Sequence, residues 1–374
     1  MDLEVDRRDL HHVRVVDVPA AELHTGQARL KVDSFALTSN NITYAVFGDM
    51  LRYWDVFPAA DDDGGTEWGR VPVWGFADVV ESTVGALSVG TRVYGYLPMS
   101  TDVVITPGRF DERGFSDVAD HRADLAAAYN RYAFTAVDPV YSAEHEAHHA
   151  VLWPLFFTAF VIDDFLDDTL IGTGRLGGDD GSGTVLISSA SSKTAIGAAF
   201  LLSQRTGLHV VGLTSPGNAA FVAELGCYHE VVTYDALHLL PDGVAAFVDI
   251  AGDQVVTRAV HQHYGDRLLH SMIVGGTHWD VQAQSTALPP GPLPGPVPEF
   301  FFAPTQLAKR AKEWGRAGLE VRTVHAWEAY RTWVAGWLRF RASSGPAEVE
   351  HTYRELLAGR VDATIGHVCT MGPS

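Results

Sequence analysis

The sequence predicts an α/β protein of two domains: a strand-rich, partly open β-barrel, and a doubly wound parallel sheet with helices on its faces. Three observations carry this. The stretch 184–207 (TVLISSASSKTAIGAAFLLSQRTG) reads as a short strand buried on both faces, a turn of small polar residues and a mostly apolar helix. From 209 to 275 strand-like and helical runs alternate, the order that builds a parallel sheet. The first 110 residues instead hold short β-rich runs separated by glycine-containing turns.

Composition sets the outer bounds. A chain of 374 residues is longer than a usual single core, so two domains are expected. Net charge is −19, from 27 basic and 46 acidic residues, which argues against nucleic acid or an anionic membrane as a partner. The two cysteines, Cys227 and Cys369, form no disulfide framework and suit a reducing, cytoplasmic compartment. The opening MDLEVDRRDL lacks the apolar core of a signal peptide. The most apolar window, 151–162, is about 12 residues long and is expected to be too short to span a membrane.

In chain order, 28–37 (ARLKVDSFAL) alternates as a half-buried strand should. Further β-rich runs are 72–81 (PVWGFADVVE), 91–96 (TRVYGY) and 102–106 (DVVIT). Residues 120–150 are polar and are expected to be helical, and an apolar helix follows from 151. The Gly/Asp-rich 172–183 is a surface loop. After the central unit come strands at 209–214, 230–234, 245–251 and 268–275, with a helix at 218–225 closed by Gly226. The Pro-rich 289–298 is an extended loop, Phe300-Phe301-Phe302 a candidate sixth strand, and 306–314 a helix. The tail predicts a helix at 349–357 and a last strand at 365–370.

The helix that follows Ser188–Ser192 begins with free N–H groups and partial positive charge, a natural seat for a phosphate. Lys193, one of only four lysines, stands at that point. Either it faces the anion or it sits exposed on the first turn.

The order and spacing of these segments resemble the medium-chain dehydrogenase/reductase superfamily, in its zinc-free quinone oxidoreductase-like branch, over most of the chain. The stretch 36–48 (ALTSNNITYAVFG) resembles the family's pocket-lining strand end, 72–81 its barrel strand with Gly75, and 87–94 (LSVGTRVY) its "kxGdrV" turn. The run 152–160 (LWPLFFTAF) resembles its helix with a Thr-Ala pair beside the nicotinamide. The central stretch resembles "VLVxGAxGGVGxxAxQLA", with Ser189, Ser192, Lys193 and Ala195 where the family has glycines. The runs 248–252 (VDIAG) and 272–277 (MIVGGT) resemble later strands of its cofactor domain. The resemblance implies a GroES-like barrel as catalytic domain (1–155), a Rossmann-type dinucleotide-binding domain (156–318) and a return into the catalytic domain (319–374). It also implies a homodimer formed by edge pairing of cofactor-domain sheets near 272–276.

In such a domain an acidic residue ending the second strand binds the ribose of NAD. Here Thr214, Ser215 and Asn218 stand there with no carboxylate, which favours NADP(H). Ser215 is also a candidate cap for the next helix. The expected cofactor contacts are Thr158, Ser189, Ala190, Ser191, Ser192, Lys193, Thr194, Thr214, Ser215, Asn218, Gly275 and Gly276. Hydride transfer to an electron-poor C=C or C=O of a small molecule follows. The Cys and Gly-His-Glu zinc pattern is absent, so hydroxyl or amide donors must stabilise the developing oxyanion. Asn41 and Tyr44 are the candidates by resemblance, with Tyr53 and Tyr96 as further aromatics that line the cleft or pack the core. A non-redox lyase or decarboxylase, or a nucleotide-binding sensor, is the alternative on the same fold.

Two other motifs are set aside. His145-Glu146-Ala147-His148-His149 matches H-E-x-x-H, but in a polar segment with no evident third ligand. Ser192-Lys193-Thr194 echoes the end of a P-loop, with Ser192 and Ile187 where glycines are needed.

Overall fold

The computed structural model describes residues 1–59, 67–177, 183–274 and 291–372. It divides into two compact units, Met1–Pro154 with Val334–Ser374, and Leu155–Trp333.

In the first unit, β1 (Asp2–Asp6) pairs with β2 (Val13–Val16) and with β4 (Trp68–Gly69) in a small antiparallel sheet. The larger sheet is built on β3 (Ala28–Leu37) and β5 (Pro72–Ser82), followed by β6 (Arg92–Pro98), β7 (Asp102–Ile105), β8 (Pro107–Asp111), β9 (Gly114–Asp117) and β10 (Arg131–Phe134). The first half of β3 pairs with β7 and its end with β18 (Ile365–Thr370), itself parallel to β17 (Arg339–Ser344). Gly75 is required where β5 crosses β3, because a Cβ there would lie 2.2 Å from the carbonyl oxygen of Ser34. Helix α1 (Ser39–Val46) follows β3 directly, and α8 (Pro346–Leu357) joins β17 to β18.

The expectation of helix over 120–150 needs correction. Only the short α2 (Ala127–Asn130) and the start of α3 (Glu146–Leu166) are α-helical there, and Arg131–Phe134 is a strand between β6 and β9. Tyr132, fully buried, supplies the side chain that seats it.

Helix α3 continues into a π-turn at Asp167–Ile171. Together Ala143–Ile171 is long and apolar enough to cross a membrane, more than the sequence window suggested, because it extends on both sides of that window. In its most apolar stretch 72% is buried inside the protein, as in a core helix. Its acidic end is paired: Asp163 accepts from Arg205 Nε and Nη2 at 2.7 and 2.8 Å, and Asp164 accepts from Arg310 Nε at 2.6 Å.

The second unit is a parallel sheet in the order β13-β12-β11-β14-β15-β16: β11 (Gly183–Ile187), β12 (Leu208–Thr214), β13 (Glu230–Thr233), β14 (Val244–Asp249), β15 (Leu268–Ile273) and β16 (Glu299–Phe300). Numbered from β11 this is 3-2-1-4-5-6, the Rossmann order, with its switch point between β11 and β14. Helices α4 (Lys193–Leu202), α5 (Ala219–Glu224) and α6 (Gln254–Tyr264) make the crossovers. Every residue of β11 is buried, the mark of a strand covered on both faces. At the edge expected near 272–276, Met272 and Ile273 already pair with Glu299 and Phe300 of β16, while residues 275 and 276 lie outside the described residues. Helix α7 (Ala303–Val334) closes the unit, with a break at Gly315 (φ 69°), and the expected return at 319 falls inside it.

Candidate active site

The four residues expected to act on substrate come together in the first unit. Tyr44 lies on α1 and its ring is 4.6 Å from Tyr53 and 5.5 Å, edge-on, from Tyr96 of β6. Its hydroxyl accepts a hydrogen bond from Trp74 Nε1 at 3.1 Å. Asn41, expected as an oxyanion donor, makes bonds within the protein. Its Oδ1 accepts from the backbone N–H of Thr38 at 2.8 Å, capping α1, and its Nδ2 donates to the carbonyl of Pro72 at 2.9 Å. It fixes α1 to β5 and so positions Tyr44.

Sequence reasoning missed two members of this group. Tyr129 stacks on Tyr96 at 5.1 Å, and its hydroxyl lies 2.9 Å from that of Tyr53. Trp74 packs at 4.7 Å from Tyr96. Trp74 is two residues from Phe76 on one strand, a spacing that puts both on one face. Tyr129 had no such signal. Burial pushes the phenols of Tyr44, Tyr53, Tyr96 and Tyr129 upward, so all four stay protonated and able to donate.

The H-E-x-x-H segment lies on the first turns of α3. Glu146 accepts Arg92 through both oxygens, each at 2.8 Å, and Tyr141 at 2.7 Å. His149 is buried against Tyr94, 4.3 Å between rings, and Phe76, and burial pulls its pKa down to about 3. Among the described residues no group of three or more His, Cys, Asp or Glu could hold a metal.

In the second unit the turn between β11 and α4 lies at the switch point. Ser189 takes φ 52°, the left-handed region, where the expected fingerprint would use glycine. Its N–H donates to the hydroxyl of Tyr234 at 2.9 Å. Ser192 is the N-cap of α4, its Oγ accepting from Ala195 at 3.4 Å. Lys193 and Thr194 open the helix, both partly exposed. Thr214, buried, ends β12. Ser215 makes no side-chain capping bond, so the capping role considered for it is not observed. Asn218 Nδ2 donates to Ser191 Oγ at 3.1 Å, tying the turn after β12 to the turn after β11. Thr158 lies on α3 beside Ala159, whose Cβ is 3.0 Å from where a Cβ on Gly197 of α4 would sit. Gly275 and Gly276 lie outside the described residues.

The turn is anchored by residues that carry no sequence signal. Ser188 Oγ donates to Asp249 Oδ1 at 2.7 Å and accepts from the N–H groups of Ile250 and Ala251 at 2.8 and 2.9 Å. Asp249 also accepts from Gly252 N–H and Thr257 Oγ1, and burial raises its pKa. Tyr228 donates to the carbonyl of Ala190 at 2.9 Å. Gly212 lets that contact form, since a Cβ there would lie 2.8 Å from Tyr228 and 3.0 Å from Ala190 Cβ.

Among solved structures, the chain is similar to CurA from Vibrio vulnificus in complex with NADPH, at 13% identity over 97% of this chain and 94% of that one, TM-score 0.56. It is similar to the YhdH oxidoreductase from Salmonella enterica in complex with NADP, at 13% identity over 99% of both chains, TM-score 0.54. It is also similar to the CurK enoyl reductase, at 13% identity over 99% and 98%, TM-score 0.51. At such identities these likenesses establish the fold. Among curated proteins none matches the sequence. The family model described as protein of unknown function, DUF2855, matches residues 35–362, and the chain belongs to that family.

Proposed function

We propose that this protein is an NADPH-dependent, zinc-independent reductase of the medium-chain dehydrogenase/reductase type, acting on an activated C=C or C=O of a small quinone- or enone-like molecule. The observation that carries the reading is the strand–turn–helix at the switch point of a 3-2-1-4-5-6 sheet, with no carboxylate ending β12. The solved structures of this fold that hold NADPH or NADP support it.

The residues present fit the cofactor. Gly212 leaves room for the turn to close, and the Ser191–Asn218 bond joins the two turns a 2′-phosphorylated dinucleotide would meet. Ser189 through Thr194 would hold the pyrophosphate, with Lys193 as the cation; Thr214, Ser215 and Asn218 would hold the 2′-phosphate; Thr158, Gly275 and Gly276 would border the nicotinamide. When bound, that cofactor supplies a hydride. Tyr44, Tyr53 and Tyr96 would line the site that holds the acceptor, and Asn41 keeps Tyr44 in place.

A second reading, a non-redox enzyme or a nucleotide sensor, is favoured by one observation: the Ser189 N–H, a natural phosphate donor, is engaged by Tyr234. Titration with NADPH and NADH followed by nicotinamide fluorescence separates the two, on wild type and Lys193→Ala. We expect NADPH to bind more tightly than NADH and the substitution to weaken it by about tenfold, as loss of one charge-assisted contact does. No binding of either nucleotide would refute the reductase. A cytosolic location completes the reading, with a homodimer formed otherwise than through Met272 and Ile273, which β16 covers; a monomeric mass by light scattering would remove the dimer.

A further inference from the structure

We propose that Tyr129 is a further substrate-contacting residue, the one whose O–H is presented to the acceptor oxygen, with Tyr53 as the residue behind it that orients and polarises that O–H. The inference rests on the reductase reading and adds a residue to it.

Two hydroxyls 2.9 Å apart can share only one bridging proton, so one O–H is engaged and the other remains outward. Burial decides which. Tyr53 is 5% exposed, and its ring is enclosed by Tyr44 and Tyr129. Tyr129 is half-buried. With Tyr53 donating to Tyr129, the more deeply buried residue keeps its O–H engaged, and the Tyr129 O–H is the one left to meet a ligand. Accepting that bond makes Tyr129 the stronger donor.

The backbone under Tyr129 is held as a ligand-facing residue requires. Arg122, fully buried, donates from Nη2 to the Tyr129 carbonyl at 2.7 Å and from Nε to Asn130 Oδ1 at 3.1 Å. Asn130 Nδ2 returns a bond to the Arg122 carbonyl at 2.9 Å. The charge of Arg122 is met by Asp117 at 2.7 Å. The buried Arg122–Asp117 pair thus braces α2 from outside it, with Arg122 bonding to residues 129 and 130. The ring of Tyr129 is stacked on Tyr96 and edge-on to Tyr53, so a conjugated acceptor meets flat aromatic surface beside the donor. With a bound cofactor supplying hydride to the β-carbon, the C=C π pair would move to the bond between the α-carbon and the carbonyl carbon, and the C=O π pair onto the oxygen. The Tyr129 O–H donates a hydrogen bond to that oxygen without losing its proton. Water then supplies the proton at the α-carbon, leaving the saturated carbonyl and the oxidised cofactor.

An enolate mimic tests this without cofactor. Binding of 4-nitrophenolate to the apoprotein is followed by its absorbance shift, on wild type, Tyr53→Phe and Tyr129→Phe. We expect Tyr129→Phe to weaken binding by roughly tenfold or more and Tyr53→Phe by only about two- to threefold, since hydrogen bonds to a charged group are the strong ones. Wild-type affinity in Tyr129→Phe, equal losses in both variants, or no saturable binding to the wild type would overturn the proposal. Both substitutions keep the ring, and melting curves check folding. Were Tyr129→Phe to fail to fold, the carbonyl stretch of cyclohexenone bound to wild type and Tyr44→Phe decides: a red shift kept in Tyr44→Phe supports the Tyr129 donor, and an unshifted wild-type band or a shift lost in Tyr44→Phe overturns it. The NADPH titration above is read separately, so loss of the reductase reading and loss of the Tyr129 assignment are distinguishable.

Discussion

Replacing His149 by Leu should remove a specific part of this protein's sensitivity to acid. His149 is 1% exposed, packed against Tyr94, Phe76 and Trp153, and burial holds its pKa near 3 against an ordinary 6.5. A hydrogen bond with the Val140 backbone works in the opposite direction and is outweighed. Because the folded-state value is depressed, the native protein excludes a proton that the unfolded chain takes up below 6.5. The contribution is therefore fully present above that pH and is lost as pH falls from 6.5 toward 3. Integrated over one proton, the loss relative to pH 8 is about 2 kcal/mol at pH 5 and about 3 kcal/mol at pH 4. Urea unfolding of both proteins at pH 8, 6, 5 and 4, followed by tryptophan fluorescence, measures the difference. Carboxylate contributions common to both cancel in it. We expect the leucine variant to gain on the wild type by these amounts as pH falls. A stability difference that stays constant across the range would refute the assignment of His149 as a buried neutral histidine.

Other expectations follow from the turn between β11 and α4. Ser189→Gly should stabilise the protein by about 1 kcal/mol, because glycine adopts φ 52° without strain, and a lower thermal midpoint would contradict this. Gly212→Ala should cost about 1–3 kcal/mol by forcing Ala190 and Tyr228 apart, and should weaken NADPH in the fluorescence titration. Ser188→Ala leaves the N–H groups of Ile250 and Ala251 without their acceptor and should cost about 2–3 kcal/mol in urea denaturation.

How much of this was legible in the sequence depends on what each feature is made of. The unit from Gly183 to Leu202 is read directly, because a doubly buried strand is continuously apolar and a helix over it is nearly so. Strand β10 was not legible: Arg131 and Ala133 pair on a partly exposed strand, and only Tyr132 faces the core, so no alternation rises above the polar background. Strand β17, with Arg339 and Arg341 exposed, is silent for the same reason. Tyr44 is singled out by the family resemblance, with Tyr53 and Tyr96 as further aromatics; Tyr129 lies on a separate excursion, its carbonyl held by Arg122, with no pattern that marks it as their neighbour. The Ser188–Asp249 bond joins residues 61 positions apart, and no local pattern marks either as the other's partner.

The first unit is assembled from both ends of the chain, and this sets a schedule for synthesis. The end of β3, residues Phe35 to Leu37, receives its partner only when His367 to Cys369 arrive, roughly 330 residues later. At about 5–20 residues per second, that is on the order of 15–70 s after β3 itself is made. Through that interval the second unit can fold on the ribosome while the barrel waits with an open hydrogen-bonding edge that ends in the apolar Phe-Ala-Leu. A chain truncated before β18 carries that vacancy permanently, so premature termination near the C-terminus is expected to yield aggregates rather than a slightly shortened protein.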